Sequence, residues 1–131
     1  YPELILPTVD DETEMSWFVF VVRLANEFNV AARNRIITGM RRHEVGCADY
    51  FPPIHLQPFY REKFGFNKGD FPLTESVAGR TIALPFFNRI DSTQIELVAL
   101  TLRIMLDREK LLQGKRTDDE DDGESLPDRS S

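Results

Sequence analysis

Hydrophobic residues along this chain fall into short runs separated by polar and proline-rich segments, and the spacing inside each run predicts its element. Residues 16–24, SWFVFVVRL, are apolar at both alternating sets of positions: Trp17, Val19 and Val21 in one, Phe18, Phe20, Val22 and Leu24 in the other. A strand without a polar face belongs in the middle of a sheet, covered on both sides. Over residues 31–44 the spacing turns helical, with Ile36, Ile37 and Met40 on one side, Arg33, Arg35, Arg41 and Arg42 on the remainder, and Gly46 as the stop. Residues 47–51 read as a short strand that Pro52 and Pro53 end, since proline has no N–H for a ladder. Thr74 is placed to cap a second helix over ESVAGRTIA, and residues 82–84 form either an edge strand or an extended entry to the next loop.

The most regular element opens at Asp91, whose carboxylate can cap a helix while Gln94, three residues on, reaches back to close a capping box. The pattern carries this helix to about residue 112. Ile95, Val98, Ala99, Leu102, Met105 and Leu106 make one apolar stripe, sufficient to seat a helix on a sheet. Leu97, Leu100, Ile104 and Leu111 make a second, nearly opposite. Two opposed stripes imply a second partner, either the helix over 31–44 or something outside the chain.

From Gly114 onward GKRTDDEDDGESLPDRSS has one large apolar residue, Leu126, so burial cannot offset the cost of ordering it. The expected organisation is one domain over 1–113 and a disordered acidic tail over 114–131. The tail has three basic and seven acidic residues and so carries four of the six net negative charges. The near-neutral body lacks the sustained positive potential that nucleic-acid binding needs. One cysteine, Cys47, excludes an internal disulfide and suits a reducing compartment. The longest apolar run, residues 17–22, is too short to cross a bilayer. A soluble, cytoplasmic protein is expected, with neither nucleic acid nor membrane as partner. The chain begins without methionine, in what reads as a loop, as expected of a piece of a longer polypeptide.

Candidate chemistry is sparse. Two histidines and one cysteine have no metal-ligand spacing, no serine or cysteine stands in a nucleophile motif, and the glycines form no phosphate loop. The arginines over 33–42, with His43 beside them, read as a solvated face. His55 has a side chain suited to proton transfer near neutral pH, although a lone histidine among prolines and leucine is more often structural. What stands out is YFPPIHLQPFY over residues 50–60, too dense in aromatic rings and proline for a mere connection.

Four stations in order over residues 16–106 carry a resemblance: SWFVFVVRL, the next helix with Arg35, YFPPIHLQPFY, and FPLTESVAGRTIALPFF with its closing DSTQIELVALTL helix. Together they resemble the C-terminal portion of the DegT/DnrJ/EryC1/StrS family, enzymes that use pyridoxal phosphate (PLP) to move an amino group onto nucleotide-linked keto sugars. The resemblance implies an α/β fold, that of the C-terminal small domain of type I PLP-dependent, aspartate aminotransferase-like enzymes, with a short sheet flanked by helices. It implies an N-terminal large domain that holds the cofactor, a homodimer, a nucleotide-sugar substrate with glutamate as amino donor, and a role in making sugars for cell-surface polysaccharides or antibiotics.

Such enzymes need a lysine amine for the Schiff base, an acid near the pyridinium nitrogen and donors for the phosphate. Lys63, Lys68, Lys110 and Lys115 all lack the serine-x-x-lysine setting of the family. The expectation is therefore that this chain has no catalytic, cofactor-binding or metal-binding residue, binds no PLP alone and is inactive alone. The substrate-adjacent residues implied are Tyr50, Phe51, Pro52 and His55. Relatives commonly carry histidine, tyrosine and proline at the first three, with rings that line the sugar end of the site. Tyr50 and Phe51 keep the ring faces and lose an imidazole and one phenol hydroxyl, which leaves stacking on a sugar or on the large domain. Surface meant for a large domain predicts weak self-association of the isolated piece. The alternative is a non-catalytic regulatory or binding module that retains the fold.

Overall fold

The computed structural model describes residues 1–121, with the backbone alone given over 115–121. Its sheet has four antiparallel strands in the order β1 (Leu4–Ile5), β2 (Phe20–Leu24), β4 (Thr81–Leu84), β3 (Ala48–Asp49). Strand β2 starts later than the apolar run around it. Phe20 pairs with Leu84, and the next residue of the facing strand is Pro85, which has no N–H to extend the ladder. Trp17 and Phe18 are thus left outside the sheet, with Phe18 80% exposed. Strand β4 is interior and pairs on both sides, which excludes the edge position allowed for it above.

Helix α1 (Val30–Arg42) begins at Asn29, whose Oδ1 accepts the Ala32 N–H at 2.9 Å. It ends earlier than the predicted stop at Gly46. Glu44 takes the left-handed conformation at φ 62°, and the Val45 and Glu44 N–H groups close back on the Met40 and Arg41 carbonyls, both at 3.1 Å. Helix α4 (Ser92–Asp121) opens on the expected capping box: Asp91 Oδ1 accepts the Gln94 N–H at 2.8 Å, and Gln94 Oε1 accepts the Asp91 N–H at 3.1 Å. It runs past the predicted end near residue 112, because one glycine costs about 1 kcal/mol in a helix and Gly114 has no proline behind it until Pro127. The acidic segment expected to be disordered over 114–131 is helical up to Asp121, and its remainder lies outside the described residues.

One sheet face, carrying Val22, Leu24 and Ile82, packs on Ala32, Ile36 and Met40 of α1 and on Leu102, Met105 and Leu106 of α4. The opposite face, with Val21, Arg23 and Ala83, is only half-buried, so the expected cover on both sides is completed on one. The two helices approach closely at Gly39, where a Cβ would overlap the Met105 sulfur. Arg35 holds the buried carboxylate of Glu109 across the same interface. Lys110 pairs with Glu3, and that bond keeps the Glu3 carboxyl below its ordinary range and the Lys110 ammonium above its own.

Helix α1 does not cover the second stripe of α4. Leu97, Leu100, Ile104 and Leu111 are each at least half exposed, so among the described residues nothing covers that stripe.

Candidate functional site

The residues after β3 form more than a loop. Pro52 and Pro53 lead into one 3-10 turn (Ile54–Leu56), then α2 (Pro58–Phe64), which starts on a proline and ends at left-handed Gly65. Helix α3 (Pro72–Ala78) also starts on a proline, with Phe71 at its cap. Thr74 is therefore inside its first turn and makes no capping bond, contrary to expectation. Pro72 presets the first helical residue and moves the start upstream.

These pieces enclose an open groove of about 400 Å³. Tyr50, Phe51, Pro52, Pro53 and Ile54 form one wall, and Leu73, Thr74, Val77 and Ala78 of α3 form the other. The Tyr50 and Phe51 rings stack with centroids 4.7 Å apart. Phe51 is 55% and Leu73 78% exposed, so the groove presents large apolar faces to its surroundings.

His55 is buried outside this groove. Its Nε2 lies 3.0 Å from Glu75 Oε1, and the ring packs on Phe71 at 4.8 Å and, edge-on, on Phe66 at 6.4 Å. The same Glu75 oxygen accepts the Gly69 N–H at 2.7 Å. That bond, then the one to His55, keeps the Glu75 carboxyl below its ordinary range. The four sequence-derived residues are thus split: Tyr50, Phe51 and Pro52 line the groove, and His55 braces it from behind.

Three further polar residues have structural roles that the pattern of the chain does not predict. For Glu75 the one available signal is its position three residues after the helix-starting proline. Arg80 is buried and donates to the carbonyls of Leu24 at 3.1 Å and Ser76 at 3.2 Å, and to Asn26 Oδ1 at 2.5 Å, joining α3 to β2. Arg33 is buried too, with one long bond to the Thr81 carbonyl at 3.4 Å and Asp49 at 3.9 Å. Burial lowers its pKa from the ordinary arginine value. The expected solvated arginine face is accordingly divided, since Arg33 is buried, Arg35 holds Glu109 and Arg41 donates to the Cys47 carbonyl at 2.9 Å. Burial also pushes the Cys47 thiol up, against the nearby Arg41, which suits an inert core residue.

Lys110 is engaged with Glu3, Lys63 lies over the Phe59 and Phe64 rings at 5.4 and 5.6 Å, and exposed Lys68 sits in the turn before α3. None lines the groove. Among the described residues no cluster of metal-ligating side chains occurs, and no helix is long and apolar enough to cross a membrane.

This small α/β domain, with its antiparallel sheet and helices, has the fold seen in part of solved PLP-dependent sugar aminotransferases. One, a Streptococcus pneumoniae protein described as a sugar aminotransferase and solved in its PLP form, superposes with a TM-score of 0.74 at 18% identity. The match covers 82% of this chain and 27% of that one. The aminotransferase TlmJ of Streptoalloteichus hindustanus gives 0.66 at 20% identity, over 81% of this chain and 27% of the other.

The match of residues 1–103 to the family model settles the membership: the chain belongs to the DegT/DnrJ/EryC1/StrS aminotransferase family. The uncharacterised protein MJ1066 of Methanocaldococcus jannaschii is 32% identical over 103 residues, 78% of this chain and 27% of the relative. The spore coat polysaccharide biosynthesis protein SpsC of Bacillus subtilis is 27% identical over 103 residues, 78% of this chain and 26% of the relative. The chain spans about a quarter of the length of these relatives.

Proposed function

We propose that this chain is the C-terminal small domain of a PLP-dependent aminotransferase that transfers an amino group from glutamate to a nucleotide-linked keto sugar, acting as a cytoplasmic homodimer. The observation that carries the reading is the exposed aromatic wall, Tyr50 to Pro52, held on the scaffold that the family shares. In this reading the Phe51 ring and the Tyr50 ring close the sugar end of the site by stacking, with the phenol hydroxyl as the polar group that remains. Pro52 shapes the wall. PLP, when bound, supplies the electron sink for amino transfer, and in this reading the lysine and the other groups that hold it belong to the large domain.

The test compares the whole polypeptide with residues 1–131, each purified with PLP and offered nucleotide keto sugars and glutamate. The expected result is visible cofactor absorbance and transfer by the whole protein, with neither from the piece. Phe51→Ala in the whole enzyme is expected to raise KM for the nucleotide sugar about fivefold, the scale of one lost ring contact. A whole polypeptide that binds no PLP and transfers nothing would support the non-catalytic module instead.

A further inference from the structure

We infer that His55 and Glu75 are positioning residues: their contact clamps the two walls of the aromatic groove together and so sets where Phe51 stands toward the sugar. The inference rests on the function proposed above and assigns to it two residues that touch no substrate.

The wall that carries Phe51 has little means of holding itself. Pro52 and Pro53 have no N–H to donate, so this stretch cannot be pinned by a backbone ladder. The 3-10 turn after it is one turn long, closed by the Leu56 and Gln57 N–H groups on the Pro53 and Ile54 carbonyls, both at 3.0 Å. Such a turn is too short to be stable without tertiary support.

That support comes from two ties, one at each end of the wall. At the first, Thr81 Oγ1 lies 2.6 Å from the Tyr50 carbonyl and 3.2 Å from the Ala78 carbonyl, so one hydroxyl on β4 bridges the start of one wall and the end of the other. At the second, His55 Nε2 meets Glu75 Oε1 at 3.0 Å. His55 belongs to the turn that continues the Phe51 wall, and Glu75 belongs to α3, the opposite wall. Glu75 cannot drift to follow His55, since its oxygen also receives the Gly69 N–H and its backbone N–H bonds to the Phe71 carbonyl at 3.0 Å. Phe66 and Phe71 fix the imidazole plane from the sides. With the carboxylate as acceptor, Nε2 carries the hydrogen.

Without the clamp the Thr81 tie remains and the wall swings from one end. Displacement of a substrate-facing group by about 1 Å is enough to cost tenfold or more in productive binding. The consequence falls on the sugar, which meets the wall, rather than on the amino donor.

The experiment uses the whole enzyme with His55→Phe, which fits among the surrounding rings and has no donor, Glu75→Leu, the double variant, and Glu75→Gln, which retains an acceptor oxygen. Expected are a rise of about tenfold in KM for the nucleotide sugar in each of the first two, no further rise in the double variant, and near wild-type values for Glu75→Gln. KM for glutamate should stay within about twofold of wild type in all four, the sign that active-site positioning and not general stability has changed. Hydrogen exchange at the Leu56 and Gln57 amides should quicken in His55→Phe while the α1–α4 core is unchanged. An unaltered sugar KM, or equal losses for both substrates, overturns the clamp. Should the wild-type protein transfer no amino group, the proposed function fails, and the exchange measurement alone then decides whether the pair holds the wall.

Discussion

Glu44 holds a left-handed backbone with a side chain that gains nothing from it, because the residue is exposed and the helix-ending bonds are made by main-chain groups. Glu44→Gly should therefore raise stability by about 1 kcal/mol, seen as a higher urea midpoint at unchanged slope. Arg35→Ala acts in the other direction. It leaves Glu109, 3% exposed, without its guanidinium between two helices and should cost about 3 kcal/mol by the same measurement. Glu75 gives a pH signature. Its carboxyl is held below the ordinary range by the Gly69 N–H and by His55, so the folded state binds its proton less readily than the unfolded chain. The stabilisation is complete above the ordinary carboxylate range and is lost as pH falls through the folded value. The difference in melting midpoint between wild type and Glu75→Gln should accordingly shrink on acidification, with wild type the more stable at neutral pH. None of these three roles was legible in the chain as a string. Gly46 offered a cheaper left-handed residue two places on, Glu109 sat on a helix whose apolar spacing drew attention elsewhere, and His55 and Glu75 are twenty residues apart.

At the scale of elements, legibility followed the range of the determining contact. The Asp91 capping box is settled within four residues, and the sequence specified it correctly. The start of β2 is settled by Pro85 on the facing strand, so no inspection of SWFVFVVRL could locate it. Helix α2 is too short for its periodicity to display it, and α3 was expected but over residues 75–83, whereas Pro72 starts it earlier and the strand from Thr81 ends it sooner. The second stripe of α4 is the reverse case, where the pattern foresaw a face that the domain itself leaves bare. Leu100→Glu with Ile104→Lys should leave the unfolding free energy of residues 1–131 nearly unchanged, within about 0.5 kcal/mol by urea titration, because both side chains are exposed. The same pair should abolish concentration-dependent association of the wild-type piece in sedimentation.

For the molecule as a whole, the family was readable because four separated stations agreed in order, and the fold is shared with a solved structure at 18% identity overall. The site was readable only as a composition, aromatic and proline-rich. The groove needs α3 brought beside the residues after β3, and that approach is governed by Arg80 and Thr81, buried polar residues at the mouth of β4. An apolar cavity of about 400 Å³ lies between the sheet and the first half of α4, lined by Leu4, Phe20, Leu84 and Val98, on the side of the helix away from its bare stripe. The Pro52–Pro53 pair has one more effect. Pro53 already sits at φ −53°, and two consecutive pyrrolidine rings leave this stretch few alternative shapes to surrender when a ligand arrives. In the proposed function, part of the cost in freedom then falls at folding instead of at encounter, and the rest is met by the ties that hold the wall to α3 and β4.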